Sequence, residues 1–362
     1  MGFIYLPLQG RLTVVFFKQF NKSLLSDILS LTKHGQFVIM ITLKFSEKNM
    51  TYIIIALCGA VLLFLISMII CFLFVFYSAP KKELPEGEYD LPEGKIYEPH
   101  YDEMRSWVDQ VRAMGGEEMK ITSFDGLTLY GKYYEYSPDA PLEILFHGYR
   151  GNALRDLCGA VERCFAIGRS ALIVDQRGSG KSGGRLITFG VRERFDCLSW
   201  VNFANERFGK DKKIILTGIS MGASTVMMAS GEELPENVVC ILADCGYSSA
   251  EAIIKKVMRQ LHMPVSVFYP IVKLGARVFG RFDLEEAPPI EAVKKCKVPM
   301  IFIHGENDDF VPCDMSRELF EACASKKKIM TVPNAGHGLA FPVNEEKYLN
   351  ALREFEATAK FI

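Results

Sequence analysis

The 362-residue sequence contains no His-Glu-x-x-His and no Cys-x-x-Cys. It therefore carries neither the paired-histidine helix of a zinc hydrolase nor a thiolate metal knuckle, and no metal or cofactor is expected. Gly178-Ser179-Gly180-Lys181-Ser182 looks like a phosphate-cradling loop, but Asp175 stands where such a loop needs its first glycine. The 42 basic and 43 acidic residues leave a net charge of −1 with no basic cluster, which excludes a nucleic-acid partner. Ten cysteines are present without framework spacing, and unpaired thiols point to a reducing compartment.

Charge is missing altogether from residues 49–80. Between 52 and 77 this stretch is dominated by Ile, Leu, Phe and Val. It exceeds the ~20 residues that cross a bilayer and the roughly 7–15 apolar residues of a cleaved leader. The expectation is an uncleaved transmembrane helix at 51–77 that holds the chain in the cell membrane by a single pass. Lys33, Lys44 and Lys48 before it balance Lys81, Lys82 and Lys95 after it, so the positive-inside rule does not choose a side for the remainder. Residues 1–50 carry no readable motif. Synthesis is expected to begin at Met50, which N-terminal peptide mass spectrometry checks.

What the chain does have is Gly218-Ile219-Ser220-Met221-Gly222, directly after the apolar run Ile214-Ile215-Leu216 and directly before the small-residue stretch 223–230. A nucleophilic serine needs that sequence of strand, sharp turn and helix. Any side chain at Gly218 or Gly222 would strike the neighbouring strand or helix, and the positive helix end favours the charge that develops in acyl transfer. The serine also needs an imidazole and a carboxylate. Of the six histidines, His34 precedes the apolar stretch, His100 lies in a polar linker and His262 in an apolar helical run. His147 and His304 end apolar strands at a glycine and read as turn-shaping. His337, in Ala335-Gly336-His337-Gly338, sits on an unobstructed loop and is the candidate base. Asp308 is the candidate acid, with Glu306 and Asp309 facing solvent and Asp244 as the competing acid. The chain order Ser220, Asp308, His337 is that of α/β-hydrolases.

From about residue 119 to its end the chain resembles the α/β-hydrolase superfamily, most closely the bacterial membrane-anchored branch described as lysophospholipase-like or prolyl-oligopeptidase-like. Four motifs carry the likeness in the family's order: His147-Gly148-Tyr149-Arg150-Gly151, Asp175-Gln176-Arg177-Gly178-Ser179-Gly180, the Ser220 elbow, and the acid and histidine loops. The resemblance implies an oxyanion hole made by the backbone N–H groups of Tyr149 and Met221. Arg150, a long cationic side chain, departs from the pattern. The implied activity is a serine hydrolase cleaving carboxylic esters, acyl or lysophospholipid-like, through an acyl-enzyme. A prolyl-oligopeptidase-like peptidase is the alternative, and a non-catalytic ligand-binding protein on the same fold is the alternative of another class. The expected partners are a small-molecule or lipid-like ester and the membrane; no oligomeric state is indicated.

The expected architecture is an α/β-hydrolase fold, a mostly parallel doubly wound sheet with a helical cap insertion, preceded by the one transmembrane helix. Residues 78–100, rich in Pro, Glu and Tyr, read as a solvated linker, and 101–362 as the hydrolase domain. Met104, Trp107, Val108, Val111 and Met114 recur at helical spacing and should pack on the core, a reading that outweighs a part for Trp107 in sensing substrate. A hairpin is expected at 121–136, strands at 142–146, 171–174, 213–217, 238–243, 300–303 and 328–332, and helices at 191–208 and 345–361. The surplus of apolar residues after the strand at 238, a cap at about 248–285, is expected to overhang Ser220 and shape an apolar pocket.

Overall fold

A computed structural model describes residues 2–8, 11–17, 47–79, 84–85 and 87–359. His34, Lys33, Lys44, Lys81 and Lys82 lie outside the described residues. The chain divides into two compact units, residues 1–67 and 68–362. In the first, Gly2–Leu8 (β1) pairs antiparallel with Arg11–Phe17 (β2), Gly2 opposite Phe17. Helix α1 runs Glu47–Phe76, and its residues Asn49–Phe76 are long and apolar enough to cross a membrane.

The second unit is built on eight strands: β3 (Glu117–Thr122), β4 (Thr128–Tyr134), β5 (Leu142–Phe146), β6 (Ser170–Val174), β7 (Ile214–Ile219), β8 (Val238–Asp244), β9 (Met300–Gly305) and β10 (Lys327–Val332). They lie in the order β10-β9-β8-β7-β5-β6-β4-β3. All pairs from β10 to β6 are parallel, and only β3–β4 and β4–β6 are antiparallel. Parallel strands must be covered on both faces, which is why β5 to β9 read as near-continuous apolar runs. The opening hairpin turns at Asp125-Gly126 as its sequence predicts, Gly126 N–H donating to Ser123 O at 3.1 Å.

Helices cover both faces. Tyr101–Met114 (α2), Ala153–Ala166 (α3) and Glu345–Ala359 (α10) pack on one face through Trp107, Val108, Val111, Leu157, Val161 and Phe355. Glu193–Phe208 (α4), Met221–Ala229 (α5), Pro289–Val293 (α8) and Cys313–Ala322 (α9) pack on the other through Trp200, Val226, Val293 and Leu319. Met114 departs from the expected packing: it ends α2 beyond the edge of the core and is 44% exposed.

Within 248–285 the chain is helical, as Ala250–Gln260 (α6), Val265–Gly275 (α7) and one π-turn at Ala276–Gly280. Its apolar side chains Ile253, Met258, Tyr269 and Val272 form a third cluster with Phe72 and Phe76 of α1, Phe189, Met221 and Tyr247. On α1 the residues buried in this unit are Met68, Phe72 and Phe76, four apart and so on one helix face. The neighbouring Ile69, Ile70, Leu73 and Phe74 stay exposed.

The topology chooses the place for a site. Strand β5 lies between β6 and β7, so the direction in which the sheet grows reverses there. The loops leaving the C-terminal ends of β5 and β7 part and leave a crevice.

Candidate active site

Ser220 occupies the turn between β7 and α5 with φ 56° and ψ −118°, a backbone region that L side chains avoid. Two glycines hold it there. A Cβ on Gly218 would fall 2.1 Å from the carbonyl carbon of Gly222, and one on Gly222 would fall 2.0 Å from the carbonyl oxygen of Phe146. Phe146 pairs with Gly218 across β5 and β7, so both contacts are with backbone that cannot swing aside. Gly222→Ala is therefore expected to destabilise the fold by at least about 3 kcal/mol, seen as loss of cooperative unfolding or of soluble protein.

The structure brings Ser220, Asp308 and His337 together from the ends of β7, β9 and β10. His337 Nε2 lies 2.8 Å from Ser220 Oγ and its Nδ1 lies 2.7 Å from Asp308 Oδ2. With the proton on Nδ1, His337 donates to Asp308 and accepts from the serine hydroxyl. Asp308 receives three further donors: His304 Nε2 on Oδ2 at 3.1 Å, and the N–H groups of Phe310 and Val311 on Oδ1 at 2.9 and 2.8 Å. Burial alone would raise its pKa, but the hydrogen bonds from His304 and His337 outweigh burial and hold the carboxyl below the usual carboxylate range. Glu306 and Asp309 are exposed.

His304 is more than the turn-shaping residue its position suggested. Its Nε2 meets two acceptors, Asp308 Oδ2 and Val311 O (2.8 Å), so that nitrogen carries the proton, and its Nδ1 accepts from the Ser316 hydroxyl at 2.6 Å. The spacing from strand end to carboxylate, four residues, was the available signal. His147 is also buried, its Nε2 accepting the Gln176 N–H at 3.0 Å.

Asp244, the competing acid, pairs elsewhere. Its Oδ2 accepts from the Tyr348 hydroxyl at 2.9 Å and its Oδ1 is buried without a hydrogen-bond partner. Burial pushes its pKa up to about 6, against the pull of Tyr348. The folded chain thus keeps this proton to about pH 6, while the unfolded chain releases it near 4. The resulting penalty on stability sets in as pH rises through that window and is fully present above it. Asp244→Asn is expected to gain roughly 3 kcal/mol over the unsubstituted protein at pH 8 and almost nothing at pH 4, as read by urea unfolding at the two pH values.

Two backbone N–H groups border the serine. That of Met221 opens α5 and so has no intrahelical acceptor. That of Tyr149 follows Gly148, whose Cβ position lies 3.8 Å from Ser220 Oγ. Arg150, the departure from the family's pattern, bonds to backbone carbonyls of Phe74 and Tyr77.

A cavity of about 630 Å³ opens onto Ser220 and His337, within the range of ligand pockets. Its walls include Ile96, Met104, Trp107, Ile219, Phe310 and Phe341, and its polar end Asp244, Arg163 and Tyr348. Trp107 thus belongs to both core and cavity. The lining differs from expectation in one respect: residues 92–97 contribute to it and none of 248–285 does. Ile253, Met258, Tyr269 and Val272 are taken up by the third cluster and Leu261, Val267, Leu274, Val278 and Phe279 are exposed, whereas the Tyr101 hydroxyl holds the 92–97 strap by donating to Pro92 O at 3.0 Å. Phe310 sets its ring edge-on to His337, centroids 5.1 Å apart.

The sulfur of Cys245 and ligand atoms of Asp308 and His337 lie within 4.8 Å of one another. Burial drives that thiol well above its ordinary pKa, and Asp308 and His337 already satisfy each other. The grouping therefore works as a hydrogen-bonded pair beside a neutral thiol.

Comparison with known proteins bears on the fold and the family. Over 245 residues the chain is 26% identical to the uncharacterized protein YqkD of Bacillus subtilis, covering 66% of this chain and 80% of that one. It is 25% identical over 229 residues to protein bem46 of Schizosaccharomyces pombe, covering 61% and 70%. Among solved structures, the esterase Pf2001 of Pyrococcus furiosus superposes with a TM-score of 0.58 at 20% identity, covering 78% of this chain and 98% of that one. Est1E of Butyrivibrio proteoclasticus, with ferulic acid bound, superposes with a TM-score of 0.51 at 20% identity, covering 67% and 98%. The sequence model of the prolyl oligopeptidase family matches residues 165–359, more than half of the chain. The protein, a serine hydrolase on the α/β-hydrolase fold, belongs to the prolyl oligopeptidase family.

Proposed function

We propose that this serine hydrolase cleaves carboxylic esters while anchored in a membrane by α1. The observation that carries the reading is the run of hydrogen bonds from Ser220 through His337 to Asp308, opening onto a cavity with largely apolar walls. Ser220 Oγ attacks the ester carbonyl as its proton passes to His337 Nε2. Asp308, held ionised, orients the imidazole and stabilises the imidazolium. The N–H groups of Met221 and Tyr149 receive the oxyanion. His337 then gives its proton to the departing alcohol, leaving the acyl group on Ser220. Water, deprotonated by the same nitrogen, attacks the acyl-enzyme and releases the acid.

The apolar wall from Ile96 to Phe341 suits an acyl chain, and a membrane anchor suits lipid-like esters. The family match supports a second reading, cleavage of peptides. Kinetics on p-nitrophenyl esters of increasing acyl length, set against proline-containing peptide amides, separate the two. The ester reading expects kcat/KM to rise with acyl length and to exceed that for the amides. Faster turnover of the amides would assign the enzyme to peptides.

A further inference from the structure

The side chains of Tyr149 and Arg150 reach the C-terminal turn of α1. The Tyr149 hydroxyl donates to Val75 O at 2.6 Å. Arg150 Nη2 donates to Phe74 O at 2.6 Å and to Tyr77 O at 3.2 Å, and its guanidinium lies 5.1 Å from the centroid of the Tyr149 ring. Ile187 N–H supplies Phe76 O at 2.8 Å. The carbonyls of Phe74, Val75 and Phe76 are among the last four of α1, which a helix leaves without intrahelical donors. The contact continues through aromatic rings: Phe76 meets Phe189 edge-on at 5.8 Å, and Phe189 meets Tyr149 at 5.1 Å. Arg150 makes its bonds from φ +56°, where glycine would be comfortable and arginine is strained. A strained arginine whose guanidinium spans two carbonyls is being held for its side chain.

We infer that the last turn of α1 is a support of the oxyanion loop, with the Tyr149 and Arg150 side chains as positioning residues that fix the Tyr149 N–H beside Ser220. The helix long and apolar enough to cross a membrane therefore takes part in turnover as well as attachment. The inference rests on the proposed acyl-transfer reading, because its effect is exerted on the oxyanion of that reaction. Displacing a catalytic donor by about 1 Å costs ~10²-fold in rate, whereas the ground-state ester, bound by the cavity walls, loses nothing.

The test uses the full-length protein in phosphatidylcholine nanodiscs, with p-nitrophenyl butyrate as substrate. Arg150→Gly removes the guanidinium and at the same time relieves the left-handed backbone, and Tyr149→Phe removes only the hydroxyl. The double variant is expected to lose ~10²-fold in kcat, with KM within about twofold and the melting temperature held. Arg150→Lys, able to reach one carbonyl, should restore part of the loss. Unchanged kcat in the double variant overturns the inference, as does a fall in kcat matched by the fraction of unfolded protein. Failure of the hydrolase reading shows separately, as no turnover of any ester or peptide by the unsubstituted protein, and the inference falls with it.

Discussion

Ser220→Ala is expected to lower kcat on a p-nitrophenyl ester by roughly 10⁶-fold without lowering the melting temperature. Rate and stability separate here because the hydroxyl makes one hydrogen bond to a side chain, that to His337 Nε2. The strained turn around it is held by Gly218, Gly222 and the end of β5, which alanine leaves in place. The effect should also be non-additive. Once the nucleophile is gone the imidazole has no proton to take, so Ser220→Ala combined with His337→Ala should be little slower than either alone. Any residual rate above that in water then measures what the Met221 and Tyr149 N–H groups and the cavity contribute.

Asp308→Asn is expected to lower kcat by roughly 10⁴-fold. The carboxylate accepts from His337 Nδ1 and His304 Nε2 on one oxygen and from two backbone N–H groups on the other. An amide cannot accept from both histidines and both N–H groups. If its oxygen faces Phe310 and Val311, its NH₂ faces His337, and the imidazole must carry its proton on Nε2, where it can no longer accept from Ser220. A second consequence concerns acid stability. The folded pKa of Asp308 lies below its unfolded value, so the carboxylate stabilises the fold above the unfolded pKa, and that contribution disappears as pH falls through the folded one. Asp308→Asn should be less stable than the unsubstituted protein at neutral pH, and the difference should narrow as the solution is acidified. Urea midpoints measured from pH 7 downward check the sign. A gap that widens in acid contradicts the pairing.

What was legible in the sequence followed from local constraint. A serine bracketed by Gly218 and Gly222 between an apolar strand and a helix has one conformation open to it, and glycine-flanked His337 and the Asp308 turn each follow an apolar strand. Their convergence comes from the strand order, since β7, β9 and β10 are parallel members of one sheet and present the same ends. Contacts set by distant partners were not legible. Nothing near Arg150 announces that its guanidinium will cap a helix more than seventy residues earlier. Nothing in the Pro- and Glu-rich stretch at 92–97 distinguishes a strap along the cavity from a solvated linker. The apolar residues of 248–285 signalled burial without naming the surface, and those that are buried, Ile253, Met258, Tyr269 and Val272, share a cluster with Phe72, Phe76 and Phe189. In the ribbon of β1 and β2, the β-branched and aromatic residues Phe3, Ile4 and Tyr5 opposite Phe16, Val15 and Val14 are a strand signal with no chemistry attached to it.

The central claim is that Ser220 becomes the acylated residue. The most direct measurement is labelling of the full-length protein with a fluorophosphonate, followed by peptide mass mapping. The account predicts one adduct, on the peptide bearing Ser220, and none in Ser220→Ala. Equal labelling of both proteins, or an adduct on another residue, would contradict it.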